Sequence, residues 1–345
     1  MKKKFDLVFY SYFNKELEVK WKELENNANI SIFQTYNWQK FWFENCGESC
    51  KNLIVLVFDN KTLVSIFPLN IKKRFYITVL NWNGFPFSDY NGPIIKNNYN
   101  ISNNNFNQII LNIQEIYKFD VLHLMNNRPE AGFINGFISN SSYGSSISQD
   151  NLYNNLLNIL KKNTSYEMRR IEKKFNVNYI TNPNQSETNE IIDFFLIQKE
   201  RQLKRTNAWN YLKFSNFKKY IINLNKLDKI NISFTCIKID KKIIASHIGY
   251  MLDNIFYYIF PAYDISYKKY SPGNILLFKI LEKIRINQFK YIDFTIGNEK
   301  YKTKLSNNKF NLSEYLKPFT IKGLIYFILI KSKFLIKKIN YLLKK

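Results

Sequence analysis

The sequence predicts an α+β protein of two similar halves, each a mixed, mostly antiparallel sheet flanked by helices, followed by a basic amphipathic C-terminal helix. Three observations lead there. At 345 residues the chain exceeds the comfortable span of one hydrophobic core. Its 46% hydrophobic and 17% aromatic content supports folded cores rather than disorder. Its apolar periodicity alternates between strand-like and helix-like stretches, in the same order twice.

In the first half, "MKKKFDLVFY" has an apolar run broken by Asp6; it fails as a signal peptide and reads as a first strand. Trp21, Leu24, Phe33, Trp38, Phe41 and Trp42 mark short helices. The strands "NLIVLVFD" and "TLVSIFPLNI" follow, joined by Asn60-Lys61, a turn by composition. A strand over Thr78 to Trp82 enters the loop "NGFPFSDYNGP", whose two glycines and two prolines forbid regular structure. Phe106 to Tyr117 reads as a helix and Asp120 to Leu124 as a strand.

The second half repeats this order. Leu152 to Phe175 is helical, Val177 to Thr181 a strand, and Glu187 to Tyr220 mostly helix with a break near Thr206-Asn207. The strands "NISFTCIKID", "IIASHIGYML" and "IFYYIF" come next, then a helix after Ser271 and a last strand, "YIDFTIG". These readings divide the chain into residues 1–150, 151–318 and a C-terminal helix, 319–345. The halves share no matching residues, so the duplication is one of pattern alone. From Tyr315 onward there are eight lysines and no acid. Leu324, Ile325, Ile328, Leu329, Leu335, Ile336, Ile339, Leu342 and Leu343 recur there at helical spacing, which fits either a helix on an anionic membrane or a terminal helix packed on the first domain.

The formal charge of +24 invites a nucleic-acid partner, but only 7 of the 51 basic residues are arginine and the chain holds 48 asparagines. That pattern is the mark of a Lys- and Asn-rich coding bias, and a phosphate-clamping surface would use more Arg. Nucleic acid is therefore not the expected partner. Cys46, Cys50 and Cys236 offer no second ligand pair to complete a zinc site, so no metal is expected and the setting reads as a reduced cytoplasm. No segment reaches the roughly 20 apolar residues that a bilayer crossing requires.

The segment Tyr270-Ser271-Pro272-Gly273-Asn274 opens the helix of the second half. Serine suits an N-cap and proline the first helical position. Glycine next to them leaves backbone N–H groups bare at the positive end of the helix dipole, a place that suits a diphosphate. Ser-Pro-Gly also begins many helices that bind nothing.

"ASHIGY", "FPAYD", "YSPGNILL" and "YIDFTIGNEKYK" stand in the order and spacing of a known family. The sequence resembles the GNAT-type acetyltransferases of cellulose and other surface-polysaccharide synthesis, relatives of the Fem-type (FemAB-like) peptidoglycan transferases. "FQTYNWQKFW", "FPL" and "DYNGP" extend the likeness into the first half, and "SYEMRRIEKKF" fits the family's basic linker helix; the resemblance is specific from Ile243 to Lys304. It implies a tandem GNAT fold, acetyl-CoA or another acyl-CoA bound in the second domain, and acyl transfer to an amine or hydroxyl. The backbone of Ser271, Gly273 and Asn274 would then hold the coenzyme's diphosphate. Asn298 stands where the family often has an acid and Leu305 where an aromatic is frequent, so the acceptor side is less well matched.

Acyl transfer needs a base, donors for an oxyanion and a proton for the leaving thiolate. His247 is the first candidate base: it shares a strand face with Ala245 and Gly249, small neighbours that would leave room for substrate. His123, among alternating apolar residues, reads as a satisfied core histidine. Asp293, an acid inside an apolar strand, needs either a partner or a reaction. In "NEKYKTK", Glu299 and Lys302 flank Tyr301; Tyr301 could protonate the sulfur and Lys302 hold an acceptor's phosphate or carboxylate, or the segment is simply a solvated charged turn. Tyr263 and Asp264 follow the strand that leads to the helix start. Tyr36, Trp38, Asp89 and Tyr90 could shape an acceptor pocket, or be core. Arg169 and Arg170 could clamp a sugar nucleotide's diphosphate, or form a solvated helix face.

The leading expectation is a cytoplasmic acyl-CoA-dependent transferase that acylates an amino sugar or a lipid- or nucleotide-linked glycan precursor, peripheral to the inner face of the membrane if the C-terminal helix binds there. The alternatives are a Fem-like enzyme using aminoacyl-tRNA and a non-catalytic membrane-associated binding module.

Overall fold

The computed structural model describes residues 5–132, 137–148, 151–181, 183–208, 210–213, 217–224, 231–286, 289, 291–297 and 299–342. Its contacts divide the chain into two units, Met1–Ser142 with Asn311–Lys345, and Tyr143–Phe310.

The first half supplies β1 (Asp6–Tyr10), α1 (Lys15–Glu25), α2 (Tyr36–Cys46), β2 (Lys51–Asp59), β3 (Thr62–Arg74), β4 (Ile77–Trp82), β5 (Ile94–Ile95), α3 (Asn103–Ile116) and β6 (Val121–Asn127). The second supplies β7 (Phe137–Ser148), α4 (Asn151–Glu172), β8 (Val177–Ile180), α5 (Gln185–Arg205), α6 (Phe217–Leu224), β9 (Asn231–Ile239), β10 (Lys242–Leu252), β11 (Ile255–Tyr263), α7 (Pro272–Ile286), β12 (Tyr291–Ile296) and α8 (Lys300–Leu305). β13 (Asn308–Pro318) and α9 (Ile321–Leu342) complete the chain.

Each unit has the same sheet order. In the first, β1, β2, β3 and β4 pair antiparallel in succession, β4 lies parallel to β6, and β13 is antiparallel to β6. In the second, β8, β9, β10 and β11 pair antiparallel, β11 lies parallel to β12, and β7 is antiparallel to β12. Even the central hairpin turns match: Asn60-Lys61 and Asp240-Lys241 both have positive φ at both positions, the backbone of a type I′ turn, which Asn and Asp tolerate. The sixth strand of the first unit, β13, follows the second unit in the chain, whereas the second unit's own, β7, precedes α4. The sequence suggests divisions at residues 150 and 318, and the contacts divide the chain at Ser142 and Phe310.

The continuous apolar run of β2 reflects burial on both faces, because successive residues alternate sides. Leu53, Val55 and Val57 meet Phe106, Ile109 and Ile113 of α3, while Ile54 and Leu56 meet Leu17, Trp21 and Leu24 of α1. In the second unit α7 presents Ile275, Phe278 and Leu281 to Ile237, Ile239, Phe256 and Tyr258 of the sheet.

β7 and β13 are not apparent from the sequence. β7 is rich in serine, and β13 carries Glu314 in its middle. Glu314 is buried and its Oε1 lies 2.6 Å from His123 Nε2; His123 Nδ1 lies 2.9 Å from the Tyr326 hydroxyl. His123 is thus a core histidine with both ring nitrogens partnered. Tyr326 belongs to α9, whose first half packs on β4 and β6 through Tyr326, Phe327 and Ile330. Gly323 permits that contact: a Cβ there would sit 1.8 Å from the Asp120 carbonyl oxygen.

Removing one member of a buried hydrogen-bonded pair leaves the other unsatisfied. His123→Leu should therefore lower the stability of the first unit by about 3 kcal/mol, and adding Glu314→Leu should restore most of it. Urea denaturation of the three proteins measures this.

Candidate active site

The parallel pair β11 and β12 shares only three positions, Ile255 with Tyr291, Phe256 with Ile292 and Tyr257 with Asp293. Beyond them the strands part, and each is irregular where it leaves the other. β11 carries one extra residue against β10 at Ile248/Gly249, and β12 one extra against β7 between Asp293 and Ile296. Bulges bend a strand and increase its twist, so two bulges at this point separate the ends. In the second bulge Thr295 has φ +57°, unfavourable for a β-branched residue, and Asp293 Oδ1 accepts a 2.6 Å hydrogen bond from the Thr295 N–H. The acid in the apolar strand therefore fixes the bulge.

α7 starts beside this split. Asp264, at the end of β11, accepts from the Ser266 N–H and hydroxyl and so begins the 3₁₀ turn Ile265–Tyr270. Burial opposes ionisation of Asp264, but those two bonds, with Lys242 and Arg201, hold its carboxyl below the usual range. Pro272 occupies the first helical position, as the sequence suggests. Ser271 has φ +50° rather than the extended backbone of an ordinary N-cap.

Of the three backbone amides expected to face a diphosphate, two are engaged. Ser271 N–H donates to the Lys268 carbonyl and Asn274 N–H to the Ser271 carbonyl, each at 3.0 Å. Gly273 N–H has no such bond among the described residues. A Cβ on Gly273 would meet only a Tyr263 ring carbon, at 3.6 Å, so packing does not demand a glycine there. Arg170 of α4 braces this loop: it donates to the Lys269 carbonyl, lies over the Tyr270 ring and pairs with Glu167. Arg169 is exposed. The two arginines do not act as a pair.

His247 lies fully buried on β10, and neither ring nitrogen has a hydrogen-bond partner. Its ring stacks on Tyr258 with centroids 4.0 Å apart and planes 11° from parallel. Tyr258 in turn meets Phe294 and Tyr301 edge-on. The room anticipated beside Gly249 is taken by His247 itself, because a Cβ at Gly249 would lie 2.6 Å from its Cε1 and 2.8 Å from Phe256. Desolvation depresses the imidazole pKa to about 3, so the ring is neutral and enclosed. Burial pushes the Tyr258 and Tyr301 phenols well above their usual range. Sequence reasoning misses Tyr258: it pairs with Gly249, two residues along the same strand from His247, and so its ring reaches His247 diagonally across a register that a sequence does not display.

Within "NEKYKTK", Lys300 to Lys304 lie in α8, and Lys302 turns inward, donating to the Ile296 carbonyl at 2.6 Å with Glu299 3.4 Å away. Gly297 beneath them has φ +138°, a backbone that strains any other residue. Lys302 thus closes the end of β12 and is not free to hold an acceptor. Asn298 lies outside the described residues. In the first unit, Tyr36, Trp38 and Tyr90 are core residues, with Trp38 Nε1 donating to Ser88 Oγ and the Tyr36 hydroxyl donating to the Asn14 carbonyl. Asp89 is half-buried in the same loop. These four do not line an open pocket there.

The corresponding place in the first unit is closed. α3 is capped by Ser102, whose side chain accepts from the Asn105 N–H. The space after β4 is bridged by Asn91, which pairs with Asn127, and Trp82 Nε1 donates to Asn127 Oδ1.

Residues 160–303 match the family model described as an acetyltransferase (GNAT) domain. Both units carry the GNAT-like fold, and the chain is a tandem of them. The crystal structure of FemX aligns with a TM-score of 0.56 at 10% identity, over 90% of this chain and 97% of that one. A tandem GNAT protein from the clavulanic acid biosynthesis pathway aligns with a TM-score of 0.54 at 8% identity, over 91% and 98%. At such identities the likeness is one of fold. No curated protein matches the sequence. Among the described residues, no cluster of three or more His, Cys, Asp or Glu could hold a metal ion.

His247 ties the site to pH. The unfolded ring titrates at 6.5 and the folded one at about 3, so below 6.5 the unfolded chain binds a proton that the folded chain does not. Stability from this source is complete above pH 6.5 and is lost as pH falls toward 3. His247→Phe should remove about 2–3 kcal/mol of the difference between neutral pH and about pH 4.5, read as converging urea midpoints.

Proposed function

We propose that the second unit transfers an acyl group from acyl-CoA to an amine or hydroxyl acceptor. The observation that carries this reading is the parted pair β11 and β12 beside a helix start whose Gly273 N–H makes no hydrogen bond among the described residues and whose Cα is uncrowded. The Gly273 N–H and the α7 dipole would receive the coenzyme's diphosphate, and Lys268, Lys269 and Arg170 make the surroundings cationic. The thioester would then run into the split toward Tyr258 and Tyr301.

In this reading the acceptor's nitrogen or oxygen bonds to the thioester carbonyl carbon, the C–S bond breaks, and the acceptor's proton ends on the thiolate. Tyr301 donates a hydrogen bond to the developing negative charge. It does not surrender its proton, because burial raises its phenol above an ordinary thiol. His247 is a positioning residue for Tyr258 rather than the base. Tyr263, exposed beside Gly273, borders the entrance. Acetyl-CoA as donor and an amino sugar or lipid-linked glycan precursor of surface polysaccharide as acceptor follow from the sequence resemblance. The reading puts the reaction in the cytoplasm, where such thioesters are made.

A Fem-like aminoacyl-tRNA donor is the second reading; the charge of +24 favours it, since tRNA would release counterions on a cationic surface.

Gly273→Leu should weaken coenzyme A binding by at least about tenfold in calorimetry while leaving the Tm unchanged, because the new side chain enters open space in front of the amide. Unchanged affinity would exclude this helix start as the diphosphate site. tRNA binding that falls steeply with salt, with no coenzyme A heat, would select the second reading. Tyr301→Phe should lower kcat by about tenfold or more at similar KM.

A further inference from the structure

The turn between β3 and β4 is Phe75-Tyr76, and it violates two rules at once. Phe75 takes φ +54° at the first central position of a two-residue turn, a backbone that favours glycine. Its side chain is 95% exposed, and that of Tyr76 is 82% exposed. Neither the turn nor the core calls for aromatics there. Lys72, Lys73 and Arg74 directly precede them.

The turn lies beside α9. Arg74 donates to the Tyr326 hydroxyl at 3.2 Å, and Ile77, Phe327 and Ile330 pack against one cluster of Val79, Val121, Leu316 and Tyr326. While that side of α9 covers the sheet, its opposite side is apolar and open. Ile321, Leu324, Ile325, Ile328, Leu329, Leu335 and Ile336 recur at three- and four-residue spacing, and all are exposed, Ile321 by 82% and Leu335 by 61%. At 3.6 residues per turn, Lys322 and Lys333 fall along one border of this stripe and Lys331 along the other. No acid follows Glu314.

We propose that the first unit docks on an anionic lipid surface, with the Phe75-Tyr76 tip and the outer stripe of α9 entering the interface and the flanking lysines and Lys72, Lys73 and Arg74 meeting the headgroups. An apolar helical face bordered by cations is the composition of an interfacial helix, whose lysines lift their ammonium groups to the polar layer. Charge decides against a second copy as occupant: two such faces would bring cations against cations with no acid to pair them. α9 does not span the bilayer; among the described residues no helix is long and apolar enough to do so. The inference stands apart from acyl transfer, and its test uses no substrate.

The full chain is sedimented with vesicles of phosphatidylcholine alone and with about a third phosphatidylglycerol. Binding at least about tenfold tighter to the anionic vesicles, weakening with added salt, is expected. Phe75→Ser with Tyr76→Ser, and separately Ile325→Gln with Leu329→Gln, should each lower the affinity about tenfold or more; these side chains are exposed, so the fold is retained. Lys331→Gln with Lys333→Gln should reduce the preference for anionic vesicles while keeping the apolar face. A chain that stays in the supernatant with both vesicles, or variants that bind like the parent, overturns the proposal. So does a concentration-dependent dimer lost in the same variants without vesicle binding, which would assign the face to a second copy.

Discussion

The hydrogen bond from the Thr295 N–H to the Asp293 carboxylate is the contact on which the open side of the second unit depends. It holds an extra residue in β12 directly after the last position shared with β11. A regular strand would have continued the parallel ladder and satisfied both backbones along it. With the bulge, and its counterpart on β11, the ladder stops, and an aromatic group of Tyr258, Phe294 and Tyr301 occupies the point of divergence. His247 supports that group from behind by stacking, which is why an imidazole without hydrogen-bond partners is tolerated in the core.

The two units make an internal comparison. They share sheet order, hairpin turns and one parallel pair, yet they differ at the start of the helix and the ends of the parallel strands. In the first, the helix start is capped by a serine side chain and the strand ends are bridged by asparagine and tryptophan. In the second, the helix start carries a glycine whose N–H makes no hydrogen bond among the described residues. One fold built twice has thus been used once as a filled scaffold and once as an open one.

Much of the architecture was legible because local signals agreed with tertiary demands. β2, β3, β9, β10 and β11 announce themselves as apolar runs because they are buried on both faces, and Pro272 correctly marks the start of α7. The rest depended on partners far away in sequence. Glu314 makes β13 look unlike a strand until His123, across the sheet, is known to meet it. Lys302 looks like a solvent-facing charge until the Ile296 carbonyl is seen beneath it. The small residues around His247 suggest a cavity, but the ring that they make room for is its own. At the candidate site, the helix start and the strand beside it were visible in sequence, whereas the hydrogen bonds that engage the Ser271 and Asn274 amides depend on the turn's geometry.

The late position of β13 also bears on how the protein is made. The second unit has all its strands once Phe310 has left the ribosome, whereas the first, though nearly all of it is translated earlier, waits for β13 and α9. Until then β6 is an uncovered sheet edge, and the strand that closes it emerges only after a whole second unit has been made.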